Sequence, residues 1–195
     1  MADYEFNTTP GETISRELLI AYLNTGTTAA PEWSPLGKRT TDSSEEFDWG
    51  EETNQDILGN TFSTMKKPTV TQSFDPWDLD GGDAAQAKIH KLAIVEQNSK
   101  ALANQDMMIA HFYTTAKGNT GSFAERYSSC MVKPNSLGGE GGGNIGMPID
   151  VTYGGTRTLG AVTKADDGSV TFTPESSATA ASYTTRSTKT TGSDE

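Results

Sequence analysis

The residues with the chemical types for catalysis or metal binding are few: two histidines, His90 and His111, and one cysteine, Cys130. A zinc site requires cysteines, histidines or carboxylates at ligand spacing, and neither histidine has a cysteine or glutamate partner placed that way. With one cysteine there is no intrachain disulfide, and Cys130 in "RYSSCMVKP" reads as a small buried apolar residue, because a reactive thiol needs a lowered pKa. Gly141, Gly143 and Gly146 in "GEGGGNIGMP" formally satisfy G-x-G-x-x-G. A dinucleotide site needs a strand before those glycines and a helix after them, whereas here a glycine-rich loop precedes and Pro148 follows, so a connecting loop is expected. The aspartates of "DPWDLDGGDAA" imitate a calcium loop, yet Gly82 stands where an oxygen ligand should follow Asp78 and Asp80, and Ile89 takes the place of the bidentate glutamate. Helix capping explains them better. No serine sits in a G-x-S-x-G turn. The sequence therefore nominates no catalytic, cofactor-binding or metal-binding residue, and only a site assembled from distant carboxylates and histidines, such as a glycosidase pair about 5 Å apart, stands as an enzymatic alternative.

What the chain has in abundance is negative charge. Its formal net charge is -11 and its pI about 4.6, a poor match for nucleic-acid phosphates, which are held by lysine and arginine. The charge is concentrated in "DSSEEFDWGEETNQDILGNTFSTMKKP", residues 42 to 68, where every carboxylate precedes Lys66. Trp49, Ile57, Leu58 and Phe62 interrupt the polar run, and apolar anchors amid polar residues are a composition that interface cores use.

The elements that position these residues are expected to be strands. "RELLIAYL" (16 to 23), "KPTVTQSF" (67 to 74), "MMIAHFY" (107 to 113), "ERYSSCMVKP" (125 to 134), "MPIDVTYG" (147 to 154) and "GSVTFTP" (168 to 174) are short and rich in β-branched or aromatic residues. They predict a mainly β protein, a sandwich or barrel. One segment, "GGDAAQAKIHKLAIVEQN" (81 to 98), predicts a flanking helix over about 83–97: Asp83 caps it, Gln86 holds the capping-box position, and Ala85, Ile89, Leu92, Ala93 and Glu96 follow helical spacing. At 195 residues and 33% hydrophobic content the chain suits one core. The apolar run Leu18 to Leu23 falls far short of the roughly 20 residues of a membrane span, and no basic flank with a small-residue cleavage site accompanies it, so a soluble, unprocessed cytoplasmic product is expected. Beyond Pro174, "ESSATAASYTTRSTKTTGSDE" holds one aromatic residue, Tyr183, and is expected to be disordered alone, ordering only along a neighbour that attracts Arg186 and Lys189.

Five stretches carry a resemblance: "PEWSPLGKR" (31 to 39), "FDWGEETNQDILGNT" (47 to 61), "KKPTVTQSFDPWDLDGGDAA" (66 to 85), "FAERYSSCMVKPNSLGGEGGGN" (123 to 144) and "MPIDVTYGGTRTLGAV" (147 to 162). In this order they resemble the major tail (tail tube) proteins of long-tailed phages and prophages of Gram-positive hosts, over about residues 4 to 174. The resemblance implies a tail tube β-sandwich domain over 1–174, outside which 175–195 is a serine, threonine and alanine tail. It implies hexameric rings stacked into a tube that conducts DNA, with the tape measure protein, the tail terminator and baseplate or tip proteins as partners, and a place in the virion tail after assembly in the host cytoplasm. The long loop between two core strands then reaches the adjacent ring, with Trp49, Ile57, Leu58 and Phe62 as stacking contacts among Asp48 to Met65. Asp42, Glu45 and Glu46 would face the lumen, where carboxylates keep DNA from sticking. The competing reading is a monomeric β-sandwich module that recognises carbohydrate or peptide through Trp33, Trp49 and Trp77.

Overall fold

A computed structural model describes residues 4–116 and 121–175 of the chain. The expectations for the C-terminal tract concern, apart from Glu175, residues outside the described ones. In chain order the strands are β1 (Tyr4–Phe6), β2 (Leu19–Asn24), β3 (Trp33–Pro35), β4 (Glu45–Asp48), β5 (Glu52–Gln55), β6 (Thr61–Thr64), β7 (Thr69–Phe74), β8 (Gln105–His111), β9 (Thr114–Ala116), β10 (Ser122–Pro134), β11 (Ile149–Tyr153), β12 (Arg157–Lys164) and β13 (Val170–Pro174). The mainly β architecture expected from the sequence is present. Nine strands join in one antiparallel system ordered β3-β2-β8-β10-β11-β7-β4, with β12 on β10 and β13 on β12. Of two smaller sheets, β1-β9 packs on β10 and β12, where the Tyr4 ring meets Phe123 at 4.6 Å and its hydroxyl donates to the Gly160 carbonyl, and β5-β6 stands apart.

The long strand β10 is the hinge of this system. Its first half, Ser122 to Tyr127, pairs with β8 and β12, whereas Met131 to Pro134 pair with β11, and the register with β8 breaks between Tyr127 and Cys130. Such a bulge bends a strand and lets it pass between two packed layers. Backbone closeness at the bend demands glycine: a Cβ on Gly155, whose φ is +73°, would lie 2.7 Å from the Ser129 Cβ. Between the layers lie Leu23, Phe74, Trp77, Ile89, Met107, Ile109, Val132, Ile149 and Val151. A second cluster, with Tyr22, Met108, Ala110, Ala124 and Val162, covers the other face of β8, so this central strand is buried on both sides. That explains its unbroken apolar run, since only a strand exposed on one face must alternate.

The helix begins where expected. The Asp83 side chain accepts a hydrogen bond from the Gln86 amide at 3.0 Å, and α1 runs from Ala84 to His90, continuing as a wider π turn over Lys91–Val95. Ala85 and Ile89 are buried, Leu92 and Ala93 half-buried, and Glu96 exposed. Gln86 does not reach back to complete a capping box; its amide instead holds the preceding loop, donating to the Asp78 carbonyl and accepting from the Asp80 N–H. At Gln97, with φ +49°, the chain turns into a second short helix, α2 (Ser99–Leu102), capped by Asn98. The sequence pattern had not marked α2.

The aspartates and glycines that imitated ligand loops serve this scaffold. Asp80 pairs with Lys38 at 2.9 Å and Arg39 at 3.5 Å, and Asp78 accepts from Asn144 at 2.8 Å. The glycine-rich turn folds on itself through a Gly138–Gly146 bridge, and a Cβ on Gly139 would strike the Asn144 carbonyl.

Candidate functional site

The acidic stretch divides into a strand, a projecting hairpin and a return. Strand β4 pairs with β7 in the register Glu45 with Gln72, Glu46 with Thr71, Phe47 with Val70 and Asp48 with Thr69. Val70, Gln72 and Phe74 are the buried residues of β7, and paired residues share a face. Glu45 and Phe47 therefore lie on the inward side, Glu46 and Asp48 on the outward one. Neighbours in a strand point oppositely, so Glu45 and Glu46 cannot line the same surface. Asp42 and Glu46 are exposed, while Glu45 turns toward the interior, where its Oε1 is buried and has no hydrogen-bond partner.

Glu45 faces a titratable cluster. In it the Glu125 carboxylate accepts from Tyr127 at 2.8 Å and Arg157 at 2.5 Å and contacts His111 Nε2 at 3.2 Å, and His111 Nδ1 meets the Tyr113 hydroxyl at 2.7 Å. Burial raises the carboxyl pKa of Glu125, but the donors from His111, Arg157 and Tyr127 outweigh it and bring the pKa down to about 2. Glu45 has no such donors; burial pushes its pKa up, against the attraction of His111. Opposed shifts on two carboxylates can mark an acid–base pair, but here both Glu125 oxygens are taken by donors from β8, β10 and β12. The cluster cross-links strands. Cys130 is buried, its thiol donates to the Tyr127 carbonyl at 3.7 Å, and burial raises its pKa to about 12, so it is not a nucleophile.

Beyond Asp48 the chain leaves the sandwich. The hairpin β5–β6 pairs Glu52 with Thr64 through Gln55 with Thr61, and its base is closed by the Lys66 N–H donating to the Trp49 carbonyl at 2.9 Å. Every residue of both strands is exposed. At about 3.3 Å per residue the ladder and turn reach roughly 15 Å outward. Asp56 builds the tip: its carboxylate accepts from the amides of Leu58 at 2.9 Å and Asn60 at 2.8 Å and from the Asn60 side chain at 3.0 Å, while Gly59 takes φ +85°. Those hydrogen bonds, the Asn60 side chain first, lower the Asp56 pKa. The effect is to present two aliphatic side chains to solvent, Ile57 at 102% and Leu58 at 81% relative exposure. Phe62 on the hairpin, Trp49 and Met65 at its base, and Phe47 on β4 are exposed as well. The sequence marked four of these apolar residues. It missed Phe47 and Met65, and it missed the role of Asp56, although Asp-x-x-Gly-Asn is a turn signal.

The three tryptophans do not form one recognition surface. Trp77 is fully buried, Trp33 is half-buried with the Arg126 guanidinium 5.5 Å above its ring, and only Trp49 stands open. Among the described residues no group of three or more histidines, cysteines or carboxylates could hold a metal ion, and no helix is long and apolar enough to cross a membrane.

No family model and no curated protein matches the chain. Solved structures do. The tube–sheath complex of the PVC extracellular contractile injection system in its extended state contains a chain at TM-score 0.45 and 11% identity, covering 78% of this chain and 95% of that one. A chain of the sheath/tube terminator of the same system gives TM-score 0.45 and 12% identity over 78% of this chain and 100% of that one. The tube-terminating cap of the anti-feeding prophage gives 0.43 and 18%, with 80% and 95% covered.

Proposed function

We propose that this chain is a structural subunit of a phage-type tail tube, in which copies close into hexameric rings and rings stack into a conduit for DNA. The observation that carries this reading is the β5–β6 hairpin, which holds Ile57 and Leu58 clear of the fold on an ordered turn. A soluble monomer gains nothing from two aliphatic side chains fixed in water, whereas a stacking contact uses them. Ring closure has its material in the strands that end the sheet system, β3, β4 and β13, each paired on one side only among the described residues. Open edges are templates for pairing, and a closed ring removes them. Asp42 and Glu46 are the carboxylates proposed for the lumen, repeated around each ring, with Glu45 behind them in the wall. Tape measure, terminator and tip proteins as partners, and a place in the virion tail, follow from the sequence resemblance. The subunit's work is mechanical and electrostatic, without catalysis.

The test is assembly. Concentrated protein imaged by negative stain should show rings or tubes, and a strictly monomeric species in sedimentation at the same concentration would reject the reading. For the lumen, Asp42→Lys with Glu46→Lys should leave assembly intact while DNA delivery per completed virion falls. Equal delivery by variant and parent would remove these carboxylates from the lumen.

A further inference from the structure

A second apolar surface lies away from the hairpin. Where α2 and the preceding turn pass β10, an open groove of about 850 Å³ is lined by Ile94, Leu102, Met131, Val132 and Leu137, with Lys100 and Lys133 among its polar members. Ile94, Met131 and Leu137 are exposed large apolar residues, on the π turn, on β10 and on the loop after it respectively. Such a groove stays open to water only at a cost.

The register of the sheet locates the groove relative to the hairpin. Strand β7 leaves the hairpin at Thr69 and ends at Phe74; β11 pairs with it from Tyr153 at Val70 to Ile149 at Phe74. Strand β10 continues the series, Met131 opposite Thr152 and Pro134 opposite Ile149. The hairpin thus projects from one end of this layer, while the groove runs along β10 from Met131, near that end, to Leu137, past the other end. Charges match as well. The hairpin carries Glu51 near its base and Asp56 beside the aliphatic tip, and the groove carries Lys100; the further charges on each side, Glu52 and Lys133, already pair within the subunit with Lys66 and Asp150. A projection at one end of a subunit and a recess that opens at Leu137, past the other end, make a heterologous contact, which repeats along a line of copies without closing on itself.

We propose that the groove between α2 and β10 is the receptor for the Ile57–Leu58 tip of the hairpin from a second copy of this chain in the adjoining ring. This deepens the stacking reading and rests on it. Ile57 and Leu58 enter between Ile94, Met131 and Leu137, and Asp56 comes to the lysine side.

Cross-linking tests it directly, because the native Cys130 is buried and leaves introduced cysteines as the reactive pair. Subunits carrying Leu58→Cys and subunits carrying Leu137→Cys, mixed and oxidised during assembly, should give a disulfide-linked dimer as the main product. Leu58→Cys mixed with Thr171→Cys, on β13, should not. In parallel, Ile94→Asp with Met131→Asp should raise the concentration needed for tubes about tenfold or more, as expected when apolar burial is exchanged for buried charge. Both positions are exposed in the subunit, so an unchanged circular-dichroism melt accompanies the effect. Normal tube formation by that double variant, or preferential linkage of Leu58→Cys to Thr171→Cys, overturns the groove assignment. The stacking reading survives that result if deleting residues 51–62 still blocks tubes, and falls with it if the deletion also assembles normally. Loss of tubes on removing residues 176–195, without the 58–137 cross-link, assigns the groove to that segment and overturns the proposal.

Discussion

The hairpin β5–β6 and the interior behind β4 use similar residues for opposite ends. Each contains aromatic or aliphatic groups beside carboxylates. In the interior Trp77 is fully buried, and Glu125 is saturated by donors from His111, Tyr127 and Arg157. On the hairpin Phe62, Ile57 and Leu58 are left in water, and Asp56 spends its hydrogen bonds on shaping a turn. The difference shows that apolar residues stabilise this fold only where strands from distant parts of the chain converge. Where a two-stranded ladder stands alone, they contribute little to the monomer and are available to a partner.

The largest effect that would break this contrast is on assembly. Deleting residues 51–62 should abolish tubes outright while shifting unfolding free energy by no more than about 0.5 kcal/mol, as for a surface change. Negative-stain imaging and chemical denaturation measure the two halves, and a strongly destabilised deletion would show that the hairpin supports the core after all.

Trp77→Ala reverses the pattern. It should cost about 3–5 kcal/mol of subunit stability, the range for removing a buried aromatic side chain, and any loss of tubes should follow from unfolding. A urea titration gives the value directly.

The same small substitution in both regions sharpens the contrast. A Cβ at Gly160 would lie 2.4 Å from the Thr173 carbonyl and 2.6 Å from the Phe172 ring, so Gly160→Ala should destabilise the fold by about 1–3 kcal/mol through overpacking. At Gly59 the nearest atom is the Gln55 Nε2 at 4.0 Å, and the penalty is only the left-handed backbone, about 1 kcal/mol, confined to the turn. Gly59→Ala should weaken assembly with no change in the global melt. Equal melts for the two variants would erase the distinction.

The smallest effect concerns Glu45. Its raised pKa means that the folded state holds its proton more tightly than the unfolded chain, so this contribution favours folding below the unfolded carboxylate pKa and is lost as pH rises through the folded value. Glu45→Gln removes the buried charge and should stabilise the subunit by about 1 kcal/mol at pH 7, at the low end for relieving a buried unpartnered group, with the gain shrinking toward pH 4. Glu125 behaves oppositely: its lowered pKa gives stability present above the unfolded value and lost as pH falls toward about 2. Melts of parent and variant across pH 4 to 7 separate the two, and a gain for Glu45→Gln that grows in acid would contradict the inward placement.

Much of the scaffold was legible in local patterns. The six expected strands correspond to β2, β7, β8, β10, β11 and β13, and the helix starts at its Asp83 cap, because β-branched runs and capping residues act within a few positions. Strand β12 escaped notice: its middle is Gly160, and it is a strand because β10 and β13 flank it. The four hairpin anchors could be picked out as apolar residues in a charged stretch, and Cys130 as buried because an unpaired cysteine behaves as a small apolar residue.

The amino-acid order by itself determined the β class, the helix start, the acidic balance, the glycine turn and the apolar tip of residues 57 and 58. Tertiary structure alone decided which carboxylate turned inward, because the faces of Glu45 and Glu46 are set by pairing with β7 rather than by their own neighbours. It decided likewise that Trp77 is core and Trp49 is surface, and it made the groove, whose walls come from segments some thirty positions apart in the chain. The physical reason is common to all three. A strand's two faces are equivalent until a partner breaks the symmetry, and that partner is chosen by long-range pairing and burial, which no local window of sequence contains.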